Sequence, residues 1–329
     1  MKKILALMVA ATLVGCGESN EEAGPLKIIA AHNQTNITSP YQTGMLELEK
    51  VAEESGLFEV EVHAGTIGTN ENELVEKLVL GGADVVLVSP GFMTSAGIKE
   101  IDIFSLLYLF DDYSHWERVV DGEVGQQVSD IVYTKSGEKY RVAAYWTAGV
   151  RHWYGEKPIQ TPQDAKGLTI RTQTSGVVSQ YWKDLGAVPT SVAWAELYQA
   201  LSSNVVSAAE NAYPYLVPME HHKTTNGKFI SETGHDYTTR LLLVSNKTYE
   251  AFTDEQLQAF SKAVIAGTKA ERQALYSEES QYKEKAIADG AIVNTLNRTP
   301  FITQAVSIQD SWSKNSGMEP TLKAIRDLK

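Results

Sequence analysis

Two arginines lie inside segments that otherwise read as apolar strands. Arg151 opens the run RHWY, and Arg171 closes GLTIR. A guanidinium at a strand end presents a planar fork of five N–H donors, the shape that holds a carboxylate through two parallel hydrogen bonds. Forty residues beyond Arg171, Asn211 closes a third short strand, VVSAAEN. Ligands of open α/β sheets bind outside the carboxyl ends of the strands. Arg, Arg and Asn at three such ends therefore predict one anion-binding site. A single arginine would sooner be a surface ion-pair partner, because arginine is mostly exposed.

Other positions extend this site. Trp194 stands at the start of a helical stretch, AWAELYQAL. A helix N-terminus offers free amides to an anion, and an indole beside it can flank a sugar ring or an aliphatic chain. Packing between lobes is the alternative role for Trp194. His32 and Asn33 follow the apolar strand LKIIAA, and Ser89 ends ADVVLVS. Both are loop positions at carboxyl ends. His235 precedes the strand-like YTTRLLLVSN, where it either lines a cleft or caps a turn.

Several chemistries are disfavoured. The chain has no G-x-S-x-G nucleophile elbow and no G-x-G-x-x-G dinucleotide fingerprint. Residues 65–69, GTIGT, lack the Gly-Lys-Ser/Thr that a phosphate loop requires. His221, His222 and His235 follow no zinc spacing, and Glu220 does not complete H-E-x-x-H. No metal and no cofactor is expected. Arg, Asn, Trp and Ser hold ligands, but none is a good general base near neutrality.

The motifs R-x6-P-I-x4-D-x-K-G-L-x-I-R, L-G-A-x-P-T, A-W-x-E-L-Y-x-A-L and A-E-N recur here in order, from Arg151 to Asn211. In this the chain resembles the solute-binding subunits of TRAP transporters (the DctP family), tripartite ATP-independent periplasmic importers of organic acids. The resemblance covers roughly residues 27–318. It implies an α/β, two-lobed periplasmic-binding-protein fold with a hinge and a long helix spanning both lobes. It also implies a receptor that captures an organic acid anion and delivers it to TRAP membrane permease subunits. Arg171 matches the family's main carboxylate-clamping arginine. Arg151 and Asn211 match further contacts, and Trp194 a position usually held by an aromatic. His32, Asn33, Ser89, Thr174 and His235 fall where contacts vary with substrate. The chain departs from the family pattern after Asn211, where Ala212-Tyr213 stands in place of the usual proline, so Tyr213 is expected to reach the ligand. The polar wall favours a sugar acid or uronate, with a C4-dicarboxylate next. A binding protein of another importer class, or a secreted enzyme, are the alternatives.

The elements that must position these residues alternate. Strands at 26–31, 57–63 and 83–89 enclose helices opened by Pro40 and by Asn70, which predicts a parallel sheet. Thr253-Asp254-Glu255-Gln256 is a capping box, and a helical pattern follows to Gly290. At 1.5 Å per residue this helix is about 54 Å long, a spine across both lobes, with a kink expected near Gly267. Lobe 1 is expected to comprise residues 25–148 with 237–276, and lobe 2 residues 149–236 with 277–329.

Targeting and charge fit an exported receptor. Met1-Lys2-Lys3 precedes an apolar run at 4–14, too short to span a bilayer and suited to a secretory signal. Leu13-Val14-Gly15-Cys16 looks like a lipoprotein processing site, which predicts a signal peptide at 1–15, lipidation of Cys16 and a polar tether to residue 24. Cys16 is the only cysteine, so no internal disulfide forms. The protein is expected to be extracytoplasmic, membrane-anchored by lipid, and a monomer. The 329 residues carry 41 acidic and 29 basic side chains, a net charge of −12. Such a chain disfavours nucleic acid as a partner, but an arginine pair can outweigh a diffuse field for a small anion.

Overall fold

A computed structural model describes residues 24–68, 70–173 and 176–329. In chain order the elements are β1 (Leu26–His32), α1 (Pro40–Glu53), β2 (Phe58–Ala64), α2 (Glu71–Leu80), β3 (Val85–Val88), α3 (Pro90–Ser95), α4 (Tyr113–Val120), α5 (Glu123–Lys135) and β4 (Tyr140–Gly155). There follow β5 (Thr169–Thr172), α6 (Gly176–Asp184), β6 (Val188–Ser191), α7 (Leu197–Ser202), β7 (Ala208–Asn211), α8 (Tyr213–Leu216) and β8 (Phe229–Ser245). The chain ends with α9 (Asn246–Glu250), α10 (Asp254–Ala288), β9 (Ile292–Asn294), α11 (Thr299–Ser316) and α12 (Glu319–Asp327).

One sheet runs through the molecule in the order β2-β1-β3-β8-β4-β7-β5-β6, with β9 beside β8. Its two flanks are parallel: β1 with β2 and β3, and β5 with β6 and β7. Between them β4 and β8 form a long antiparallel ladder that joins the flanks. Sequence pattern placed a strand at 141–147 and treated the Arg151 segment separately. The structure makes both one 16-residue strand. The apparent break is a register irregularity between Thr147 and Val150, where Gly149 takes a left-handed φ of 82°.

Successive side chains on β4 point to opposite faces, so adjacent aromatics feed different cores. Tyr145 and Trp153 enter the cluster under α2, α4, α5, α6 and α11, while Trp146 packs with α1 and α10, and Tyr154 with α7. Both buried faces explain why these strands read as continuous apolar runs.

The capping box at Thr253 and Gln256 is formed as the sequence indicates, and α10 runs unbroken for 35 residues. Gly267 is not a break in it. Its role is close approach: a Cβ there would lie 2.7 Å from the Gly44 carbonyl and 2.9 Å from Leu48 Cβ on α1. Gly44 is equally tight, with Glu271 Cβ and the Trp146 ring each at 2.7 Å. The two glycines let α1 and α10 cross nearly backbone to backbone. Gly267→Ala forces this crossing apart and should lower stability by about 1–3 kcal/mol, read from urea unfolding midpoints at unchanged slope.

Candidate functional site

Three arginines are buried where the flanks meet: Arg151 on β4, Arg171 on β5 and Arg240 on β8, exposed by 3%, 3% and 5%. A buried charge is tolerated only with partners. The three differ in what they have.

Arg151 is fully engaged. Its Nε and Nη2 donate to the Glu210 carboxylate, Nη2 lying 2.8 Å from Oε1, and Nη2 also donates to the Glu210 carbonyl. Its Nη1 donates to Asn211 Oδ1 at 3.0 Å. These contacts follow from the sheet: β7 is antiparallel to β4, with His152 opposite Asn211 and Trp153 opposite Glu210. His235 Nε2 is 3.2 Å from Glu210 Oε2, and its Nδ1 is 2.7 Å from the Thr233 hydroxyl. A carboxylate only accepts, so Nε2 carries the proton and Nδ1 accepts from Thr233. Burial alone would raise the Glu210 carboxyl; Arg151 and His235 overcome this and hold it down at about 2. Arg151 is correspondingly raised by Glu210 against the effect of its own burial.

Arg240 is engaged on the other side. Its Nε donates to the Tyr41 hydroxyl at 2.6 Å, and Nη1 donates to Ser89 Oγ. The Ser89 hydroxyl in turn donates to Glu71 Oε2 at 2.6 Å, and Asn33 Nδ2 donates to Glu71 Oε1 at 3.1 Å. Arg240 Nη1 lies 4.0 Å from Glu71 Oε1. His32 sits nearby with both ring nitrogens in use, Nε2 toward Gln42 Oε1 at 2.7 Å and Nδ1 accepting from the Gln34 amide. Burial lowers it to about 4, so it is neutral.

Arg171 is only partly engaged. Its Nε donates to the Val192 carbonyl at 3.0 Å, but Nη1, though buried, has no hydrogen-bond partner among the described residues. Burial, with little to offset it, pushes its guanidinium down to about 10. Its Cζ stands 5.9 Å from the Trp194 ring, which meets the His221 ring edge-on at 5.0 Å. Trp194 Nε1 and His221 Nε2 are also buried without a partner among the described residues. Tyr154 and His221 Nδ1 are 3.0 Å apart. Three polar nitrogens around Arg171 thus remain to be met.

The structure brings together Arg151, Asn211 and His235 in one group, and His32, Asn33 and Ser89 in another. Arg171 and Trp194 form a third. Glu210 occupies two of the donors of Arg151, and Asn211 takes a third. Tyr213 turns its hydroxyl to Glu232 at 3.2 Å and its ring to His152. Thr174 and Cys16 lie outside the described residues. Sequence reasoning missed Arg240, Glu210, Glu71 and Tyr41. Arg240 carried the same signal as the other two, an arginine within an apolar run, TTRLLLVS. A groove of about 680 Å³ between α5, β4 and α10 shares no residue with this cleft, and its Arg272 is already paired with Asp121 at 2.6 Å.

The sequence profile of the family described as bacterial extracellular solute-binding protein, family 7 (DctP), matches residues 31–315. The chain belongs to this family. It is thereby a solute-binding subunit of the TRAP type. Among its relatives, the C4-dicarboxylate-binding periplasmic protein DctP of Rhodobacter capsulatus is 25% identical over 269 residues, covering 81% of this chain and 79% of the relative. A TRAP periplasmic solute-binding protein from Sulfurospirillum deleyianum, solved with bound succinate, superposes with a TM-score of 0.83 at 26% identity, covering 93% of this chain and all of that one. Another from Chromohalobacter salexigens, solved with bound D-glucuronate, gives a TM-score of 0.85 at 22% identity, covering 92% of this chain. These likenesses establish the two-lobed α/β architecture for the DctP-family chain described here.

Glu210 gives a test of the paired arginine. Its folded pKa is depressed below the unfolded value of about 4.3, so it contributes stability above that pH and loses it as pH falls toward 2. Glu210→Gln should lower stability at pH 7 by about 3–5 kcal/mol by leaving Arg151 unpaired. It should also remove this part of the acid-unfolding slope, measured by denaturant titrations from pH 7 to pH 2.

Proposed function

We propose that this protein is an extracytoplasmic receptor that captures an organic acid anion, a sugar acid or uronate ahead of a C4-dicarboxylate, and delivers it to a TRAP membrane permease. The observation that carries this reading is the unmet Nη1 of Arg171, beside two buried arginines that are satisfied by the protein itself. A ligand carboxylate supplies what Arg171 lacks. The relatives support the chemistry: one is named for C4-dicarboxylates, and solved structures of the family hold succinate or D-glucuronate. The groups around Arg171 bind and orient, and the protein works as a binder, with no turnover of its ligand.

The lobes that close on the ligand are residues 25–148 with 237–276, and 149–236 with 277–329. The chain acts as a monomer, with Arg171, Arg151, Asn211, Trp194 and Tyr213 on the side of lobe 2. Lobe 1 contributes His32, Asn33 and Ser89, and Thr174 and His235 complete the set. The anchor is a lipid on Cys16. Cys16→Ser should shift the protein from the membrane fraction to the soluble fraction or leave it unprocessed, read by fractionation and intact mass. Wild type recovered wholly soluble with a free thiol would contradict the anchor.

Truncating one side of a buried charged pair costs about 2–5 kcal/mol, and a decade of affinity is about 1.4 kcal/mol. Arg171→Ala should therefore weaken binding of the cognate acid roughly 30-fold to several thousand-fold in calorimetric titrations. Arg171→Lys should recover only part, since an ammonium lacks the planar fork. Binding by Arg171→Ala within about threefold of wild type, at unchanged circular dichroism, would remove Arg171 as the clamp.

A further inference from the structure

Beside Arg151 lies a cavity of about 30 Å³, walled by Ser89, Arg151, Gln173, Glu210, Asp236 and Arg240 among others. Asp236 and Arg240 come from one face of β8, with Thr238 between them at the two-residue period of a strand. Asp236 is 7% exposed. Its one hydrogen bond is from the Thr238 hydroxyl, at 2.9 Å, and no cation lies within ion-pairing distance among the described residues. A carboxylate offers about four acceptor sites, so most of its capacity is open.

The charges of the groups around the three arginines and Asp236 add up simply. Arg151 is cancelled by Glu210, and Arg240 by Glu71. Arg171 has no carboxylate within ion-pairing distance among the described residues. His32, His152 and His221 are neutral, each lowered by burial. Burial, opposed by Arg151 and reinforced by Glu210, pushes Asp236 up to about 7, so it adds either nothing or one negative charge. The set amounts to one positive charge at most, the charge of a single ligand carboxylate.

We infer that the cleft selects an acid with one carboxylate and hydroxyl groups over a dicarboxylate, with Asp236 as the specificity-determining residue that accepts a ligand hydroxyl. This rests on the reading of Arg171 as the carboxylate clamp. A second carboxylate would be desolvated beside Asp236, which repels it, and such repulsion is the element that separates one ligand class from another.

The test uses the full chain, D-glucuronate and succinate, and calorimetric titration of wild type and Asp236→Asn at pH 7.5. Wild type should bind D-glucuronate at least about tenfold more tightly than succinate. Asp236→Asn should weaken D-glucuronate about 10- to 150-fold, the range for a hydrogen bond to a charged group. Succinate should stay within threefold or improve, so that the preference collapses. Should the Asn variant fail to fold by circular dichroism, Thr238→Val, which frees Asp236 from its one donor, replaces it and should also change the ratio of the two acids rather than both affinities together. Equal losses for both acids, or an unchanged ratio, would overturn the inference. So would a wild type that prefers succinate; if Arg171→Ala then abolishes succinate binding, the clamp stands and only the role of Asp236 falls. Binding of neither acid by wild type would overturn the role of Asp236 as stated here, and a screen of other monocarboxylates against Arg171→Ala would then decide the clamp separately.

Discussion

A guanidinium taken out of water must be met by acceptors, and this requirement governs the centre of the molecule. Three arginines are buried within one sheet, and each sits on a different strand. Two are met by carboxylates of the protein, Glu210 and Glu71, through geometry that only this strand order provides. Arg151 reaches Glu210 because β4 and β7 are neighbours, with Trp153 opposite Glu210. Arg240 reaches Glu71 through Ser89 because β8 borders β3, whose carboxyl end leads into Ser89. Arg171 lies beyond β7, on β5, where no carboxylate of the described residues comes within ion-pairing distance. The same rule that fixes the first two arginines leaves the third with a buried Nη1 unmet among the described residues, which is the ground for the proposal that it receives an external anion.

Satisfying two of the three has a consequence for precision. A bidentate clamp works only when its fork is held in one orientation. The Glu210 carboxylate is itself held by Arg151 and by His235, whose tautomer is set by Thr233. Asn211 then presents its oxygen to Arg151 and to the Ala212 amide, which fixes the side chain next to the Arg171 strand. The Arg151 group is thus held in one arrangement by partners of its own.

Much of this was legible in the sequence. The alternation of strands and helices, the capping box at Thr253, the spine helix and the presence of arginines inside apolar strands can all be read from periodicity, capping chemistry and residue pattern. What could not be read was pairing. Glu210 lies 59 residues from Arg151, and Ser89 lies 151 residues from Arg240, so each partnership depends on which strands become neighbours. Sequence shows an arginine in an apolar run; only sheet order shows whether a carboxylate waits opposite. Arg240 was hidden for a further reason, since its segment serves as the long strand joining the flanks, and that architectural role accounts for its apolar pattern. The continuity of β4 was concealed by Gly149, whose positive φ marks an irregular strand rather than its end.

That irregularity ties the spine to the site. Between Thr147 and Val150 the β4–β8 ladder loses its register, which leaves backbone groups of β4 without strand partners. The spine helix α10 supplies partners at and beside this irregularity. Glu271 accepts from the Thr147 amide at 3.4 Å, Arg272 Nη2 donates to the Tyr145 carbonyl at 2.7 Å, and Glu279 accepts from the Val150 amide at 2.8 Å. A side chain at 149 would collide with the Glu279 carboxylate, at 2.8 Å from the position of its Cβ, so glycine is needed there for space as well as for its φ. Arg151 is the next residue after Val150. The helix that spans the molecule therefore grips β4 immediately before the strand delivers Arg151 to Glu210, and the length of α10, the glycine at 149 and the arginine at 151 are parts of one arrangement.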